Sequence, residues 1–206
     1  MANKKTMALG EEDYRAIMNA ITAGFQYEDE EGRKHTFRAS EQLAVILKTE
    51  AVLGIRIGDV LNLRLNDIVK DGKGRRLNIV EEKTGKSRTF AVPKEVYAML
   101  YDFMADNNRK KSDLLFVTGK DGNRKVTERA VQKSLKIVAD YLGIENVSTH
   151  SFRKTFARNI YEDNGCNIEL VRQALQHSSV VVSQRYIGVT SKQMTEALTN
   201  NALKLL

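Results

Sequence analysis

From Ser40 to Gly54 the chain reads SEQLAVILKTEAVLG, and this run limits the possible fold more than any other. Read as a helix, it is apolar on most sides, so other elements have to surround it. Ser40 stands where a side-chain oxygen can cap the first turn. The chain must therefore build a core around one central helix. Its 206 residues, 42% of them apolar, suffice for that. Charged residues make up 29%, which suits a soluble surface.

The segments on either side supply the neighbours. Residues 11–24 read as a helix, with Ile17 and Ile21 four apart and acids in its first turn. Residues 25–38 are polar and read as a loop; His35 lies there and is assigned no role. A short helix is expected from Ile57 or Gly58. The β-favouring runs NDIV, LNIVEE and SRTFAV are separated by the turn signals DGKGR and KTGK, so residues 67–92 read as a small antiparallel sheet. Beyond it the pattern is mainly helical. Pro93 suits the first position of a helix at 94–107. LLFV at 114–117 reads as a short extended segment, and Thr127 caps a helix at 127–142. A helix beginning at Ser148 or Thr149 runs to residue 163, and shorter ones follow at 167–175 and 178–186. The tail, 191–206, reads as an amphipathic helix carrying Met194, Leu198 and Leu205. The expected fold is mainly α with a small antiparallel sheet, an α+β domain. The expectation is one domain over 1–206, with a flexible N-terminus at 1–10.

The formal net charge is +7, which points to a polyanionic partner such as nucleic acid. Cys166 is the only cysteine, which excludes an internal disulfide framework and a multi-cysteine zinc site and fits a reducing, cytoplasmic compartment. No apolar run approaches the ~20 residues of a membrane span. The opening MANKKTMALG is basic but lacks the apolar stretch of a signal peptide.

Four short stretches carry chemistry. In THSFRKTFARN, His150 and Arg153 stand about 60° apart on a helix, beside an apolar stripe of Phe152, Phe156 and Ile160. They are either a structural pair or two donors aimed at one anion. In HSSVVVSQRYIG, His177 precedes Tyr186; the tyrosine is either a core residue or a nucleophile helped by nearby cations. In GIRIGDVLNL, Arg56 follows the central helix, as a charge at its C-terminus or as an anion clamp. In EEKTGKSRTF, Lys83 and Lys86 sit in the turn between two strands.

The order of these groups, Arg56, Lys83, His150, Arg153, His177 and Tyr186, resembles the catalytic domain of the tyrosine recombinases, the phage- and transposon-integrase family, related in chemistry to type IB topoisomerases. GIRIGDVLNLRLNDI is similar to the first arginine box, with Asp59 at its usual acid. STHSFRKTFA and VRQALQHSSVVVSQRYIG are similar to the second. The resemblance spans about residues 11–190. It implies double-stranded DNA as substrate, a homo-tetramer on that DNA, and no cofactor, metal or ATP. It implies that Arg56 and Arg153 hold the nonbridging phosphate oxygens, that His150 and His177 add hydrogen bonds, and that Tyr186 attacks phosphorus to form a 3′-phosphotyrosine. Lys83, preferred over Lys86 because KTG marks the lysine of the family, would protonate the leaving 5′-oxygen. The alternatives are an inactive DNA-binding module of the same fold, or a topoisomerase-like relaxase. Gln176 departs from the glycine usual before the second histidine. The chain also opens directly on the catalytic region, as expected either of a fragment of a longer integrase or of a short recombinase. Residues 191–206 are expected to contact a neighbouring subunit.

Overall fold

A computed structural model describes residues 6–29, 31–119, 124–187 and 199. The chain divides into two compact units, residues 1–156 and 157–206.

In the first unit, α1 (Glu11–Ala23) and the central α2 (Glu41–Leu53) form where the sequence places them. The Ser40 hydroxyl accepts from the Leu43 N–H at 3.2 Å, closing the first turn of α2. Eight residues of α2 are buried, from Leu43 to Leu53, confirming that it is enclosed. It ends at Gly54 in the left-handed conformation, φ 58°. A β-carbon there would overlap the ring of Phe156. Left-handed strain costs ~1–2 kcal/mol for an L-residue, and forcing the ring aside adds ~1–3 kcal/mol. Gly54→Ala is therefore expected to destabilise the protein by roughly 2–5 kcal/mol, read as a lowered thermal midpoint. An unchanged midpoint would show that the turn relaxes freely.

Residues 25–38 are not a loop. Strands β1 (Phe25–Glu28) and β2 (Lys34–Phe37) pair antiparallel, with Tyr27 opposite His35. The acidic run EDEEGRK obscures the pairing in the sequence. The turn is held by Asp29 Oδ1, which accepts from the N–H groups of Glu31 and Arg33. Phe25 stacks on Phe37 and on Tyr141, giving the hairpin an aromatic face. His35 also has a partner, since its Nε2 lies 2.8 Å from Asp29 Oδ2.

Helix α3 (Ile57–Leu61) and a single 3₁₀ turn (Leu65–Asp67) lead into a three-stranded antiparallel sheet. Its strands are β3 (Ile68–Asp71), β4 (Gly74–Val80) and β5 (Ser87–Ala91), in that order. Helix α4 (Lys94–Asp106) follows, with Pro93 at the N-cap rather than one position later. A two-residue ribbon, β6 (Val117–Thr118) with β7 (Arg124–Lys125), was not anticipated. The fold is α+β as expected, but with two ribbons besides the one sheet. Helix α5 (Glu128–Leu142) is capped by the Thr127 hydroxyl, which accepts from the Ala130 N–H. The N-terminal residues 6–10, expected to be flexible, are tied down: Leu9 is buried, and its N–H donates to Thr155 Oγ1 at 2.8 Å.

Helix α6 (Thr149–Asp163) contains the boundary between the units. The second unit continues with α7 (Ile168–Leu175) and α8 (Val180–Ile187). Cys166 is exposed in a left-handed turn just before the Asn167 cap of α7. The proposed tail helix, 191–206, lies outside the described residues apart from Thr199.

Candidate active site

Four of the six expected groups come together in the first unit. Gly54 turns the chain out of α2, Ile55 is buried, and Arg56 becomes the N-cap residue of α3. Its side chain keeps 21% of its surface exposed, and Nη1 lies 2.6 Å from Glu81 Oε2. Three residues on, Asp59 is buried and its Oδ1 accepts from the Glu82 N–H at 2.9 Å. That bond fixes α3 against the turn between β4 and β5. Burial raises the Asp59 carboxyl above its ordinary value.

The turn carries Lys83 and Lys86, both exposed. It is closed by the Glu81 N–H donating to the Lys86 carbonyl at 2.9 Å and by the Gly85 N–H donating to the Glu81 carbonyl at 2.8 Å. Gly85 has φ 64°, the left-handed residue that this tight turn requires.

Helix α6 supplies His150, with an exposed side chain, and Arg153, which is fully buried. Arg153 Nη1 donates to the Gly54 carbonyl, so the glycine that ends α2 also anchors this guanidinium. Glu50 is fully buried as well, with neither carboxyl oxygen hydrogen-bonded among the described residues. Burial holds it well above the usual carboxylate range; Arg153 opposes that shift and Glu128 adds to it. Burial thus disfavours the charged form of Glu50, although Arg153 acts against it.

His150 is pushed below its ordinary value of 6.5, first by partial desolvation of its ring and then by Arg153, Lys154, Lys83 and Arg56. It is neutral at pH 7 and able to accept a proton. Because the unfolded chain binds that proton more tightly, the folding stability owed to His150 rises as pH climbs through the folded value to 6.5 and is then constant. In an NMR titration of the free protein, His150 is expected to titrate below 6.5, and Lys83→Ala to move it upward. A midpoint unmoved by Lys83→Ala would place the lysine away from the ring.

The second unit brings the other two groups together. Helix α7 ends at Gln176, which adopts φ 53° where a glycine would do so freely. The departure noted in the sequence thus keeps the left-handed turn and accepts ~1–2 kcal/mol of strain. His177 follows, buried, with Nδ1 3.0 Å from Ser183 Oγ. Its ring lies 4.7 Å from that of Tyr186, tilted by 55°. The Tyr186 side chain is half-buried.

Sequence reasoning missed Glu81, Arg88, Glu50 and Ser183. Arg88 is buried on β5, with Nη1 3.7 Å from Glu81 Oε1, and burial followed by Arg153 lowers it to about 10. The only signal for Glu81 was an acid beside the KTG turn, which reads as a solvated hairpin charge. Among the described residues, no three His, Cys, Asp or Glu side chains group to hold a metal ion, and no helix is long and apolar enough to cross a membrane.

Mainly helical units, the first with a lysine-bearing hairpin and two arginines and the second with a helical tyrosine, have the features of the tyrosine recombinase catalytic-domain class. Residues 8–193 match the model of the Phage integrase family, and the chain belongs to that family. It is 30% identical over 149 residues to tyrosine recombinase XerA of Pyrococcus furiosus, covering 70% of this chain and 49% of that protein. It is 29% identical over 135 residues to the probable integrase/recombinase YoeC of Bacillus subtilis, covering 66% of this chain and 71% of YoeC. Among solved structures, it resembles XerH bound to a palindromic difH substrate as a post-cleavage complex. There the TM-score is 0.72 at 20% identity, over 97% of this chain and 54% of the other. The chain spans about half the length of XerA.

Proposed function

We propose that this chain is the catalytic domain of a site-specific DNA recombinase, cleaving and rejoining double-stranded DNA through a 3′-phosphotyrosine. The observation that carries the reading is that Arg153, Lys154, Lys83 and Arg56 all lie near enough to His150 to disfavour its charged form. A set of cations around a proton acceptor suits an anionic phosphodiester better than it suits a structural ion pair. Arg56, still part-exposed, offers its remaining donors to the nonbridging oxygens, where charge builds as phosphorus becomes five-coordinate, and Arg153, buried on the Gly54 carbonyl, joins it when the phosphate binds. The Tyr186 oxygen forms a bond to phosphorus while its proton passes to His150. The bond from phosphorus to the 5′-oxygen breaks, and Lys83 protonates that oxygen. His177, held by Ser183, adds a hydrogen bond. A 5′-hydroxyl of a second strand reverses the step, so no external energy source enters the balance.

Because two strands of each of two duplexes must exchange, the working assembly is a homo-tetramer on DNA, with residues 191–206 as a contact between subunits. A cytoplasmic location fits a DNA substrate and a single unpaired cysteine.

The test is to trap the intermediate. The protein is incubated with nicked suicide duplexes carrying candidate sites from its own genome, denatured and digested, and the peptides are analysed by mass spectrometry. A nucleotide on Tyr186 is the expected result. An adduct on another residue overturns the assignment.

A further inference from the structure

We propose that Glu81 is a positioning residue that ties the Arg56 guanidinium to the turn carrying Lys83, so that the clamp and the proton donor are assembled as one unit. This rests on the function proposed above.

Glu81 is the first residue after β4, and its side chain is only 2% exposed. Oε2 accepts from Thr84 Oγ1 at 2.7 Å and lies 2.6 Å from Arg56 Nη1. Oε1 lies 3.7 Å from Arg88 Nη1. Its N–H and C=O close the turn, through Lys86 and Gly85. Lys83 therefore sits inside a loop whose backbone closure and side-chain latch both originate at Glu81. The adjoining residue repeats the tie, since the Glu82 N–H donates to Asp59 and Glu82 Oε2 accepts from Asn62 Nδ2 at 2.8 Å.

The chemistry requires such a link. Arg56 holds the nonbridging oxygens and Lys83 must reach the bridging one on the same phosphorus, yet lysine is a flexible four-carbon stem in an exposed turn. A misplacement of about 1 Å costs ~10²-fold in rate. The local charge also requires it, because Arg153 and Arg56 both act on the buried Arg88. A buried carboxylate between two of them offsets that repulsion. Burial alone would raise the Glu81 carboxyl, but the Thr84 hydroxyl and Arg56 outweigh it and hold it below the usual range, so it stays ionised.

A merely structural ion pair makes a different prediction about the leaving group. If the bridging 5′-oxygen of the scissile phosphate is replaced by sulfur, the thiolate leaves without a proton, because a thiol has a pKa of ~8.5. A defect in Lys83 delivery then disappears, whereas a defect in phosphate binding or folding persists. The probe is the duplex on which the wild-type protein forms its adduct, made with oxygen or with sulfur. Thr84→Val removes the latch, together with the long 3.4 Å bond that Thr84 Oγ1 accepts from the Lys86 N–H, and Glu81→Gln removes the charge.

With oxygen, Thr84→Val is expected to slow cleavage ~10-fold and Glu81→Gln ~10²-fold. With sulfur, Thr84→Val should return to within about threefold of wild type, and Glu81→Gln should recover in part, the remainder being the share of Arg56. Thermal melts of Thr84→Val should match wild type. Equal defects on both substrates, or no defect on either, would overturn the proposal. Lys83→Ala separates this from the underlying reading. If sulfur fails to rescue Lys83→Ala while the wild type still cleaves, the general-acid role of Lys83 falls, and the role of Glu81 falls with it.

Discussion

Replacing Tyr186 with phenylalanine is expected to abolish the covalent adduct completely while leaving duplex binding within about threefold of wild type. The two outcomes separate because the ring and the oxygen do different work. The ring lies against His177 at 4.7 Å, and phenylalanine keeps that contact. The oxygen is the only atom removed, and no bond to phosphorus can form without it. The effect is therefore all-or-none rather than a fractional slowing. Gel separation of protein–DNA adducts, with binding measured in parallel, checks both halves. A persistent adduct in the phenylalanine variant would mean that another side chain is the nucleophile.

Arg56→Ala carries the second-largest effect, with cleavage slowed by ~10²–10⁴-fold. Loss of one preorganised donor to a developing anion costs ~10²–10³. Here the substitution does more, because it leaves the buried Glu81 carboxylate without its nearest cation. That charge then repels the phosphate from the place where Arg56 attracted it. Two further variants isolate this second contribution. Arg56→Lys retains the charge but not the fork and should fall between alanine and wild type. Arg56→Ala combined with Glu81→Gln should cleave no more slowly than Arg56→Ala alone, although Glu81→Gln is itself slow. Such sub-additivity is the signature of two residues in one network. Single-turnover rates on the trapping duplex measure it, and fully additive losses would show that the two side chains act independently.

Much of the fold was legible because its signals are local. Ser40 and Thr127 cap helices through bonds to the third residue on, and each is visible as a hydroxyl before an apolar run. The KTGK turn is visible in the same way, since glycine supplies the left-handed residue at Gly85. The β1–β2 hairpin was not legible. Its strands are four residues each, joined by a charged run, and one of its stacking partners, Tyr141, comes from α5. Of the residues expected at the site, Arg153, Lys83 and Arg56 act on His150, and the rings of His177 and Tyr186 lie against each other in the second unit.

Local spacing was enough to read the described helices and the KTGK turn, the residue types that stand ready for phosphate chemistry, and the family they belong to. Those depend on spacing within a few residues and on the order of a few motifs. The folded chain alone shows that Arg153 is buried and anchored on Gly54, that neither Glu50 carboxyl oxygen is hydrogen-bonded among the described residues, and that Glu81 lies between Arg56 and Arg88. Burial and ion pairing depend on which distant segments close around a side chain. An acid in a solvated hairpin and an acid between two guanidinium groups are spelled with the same letter.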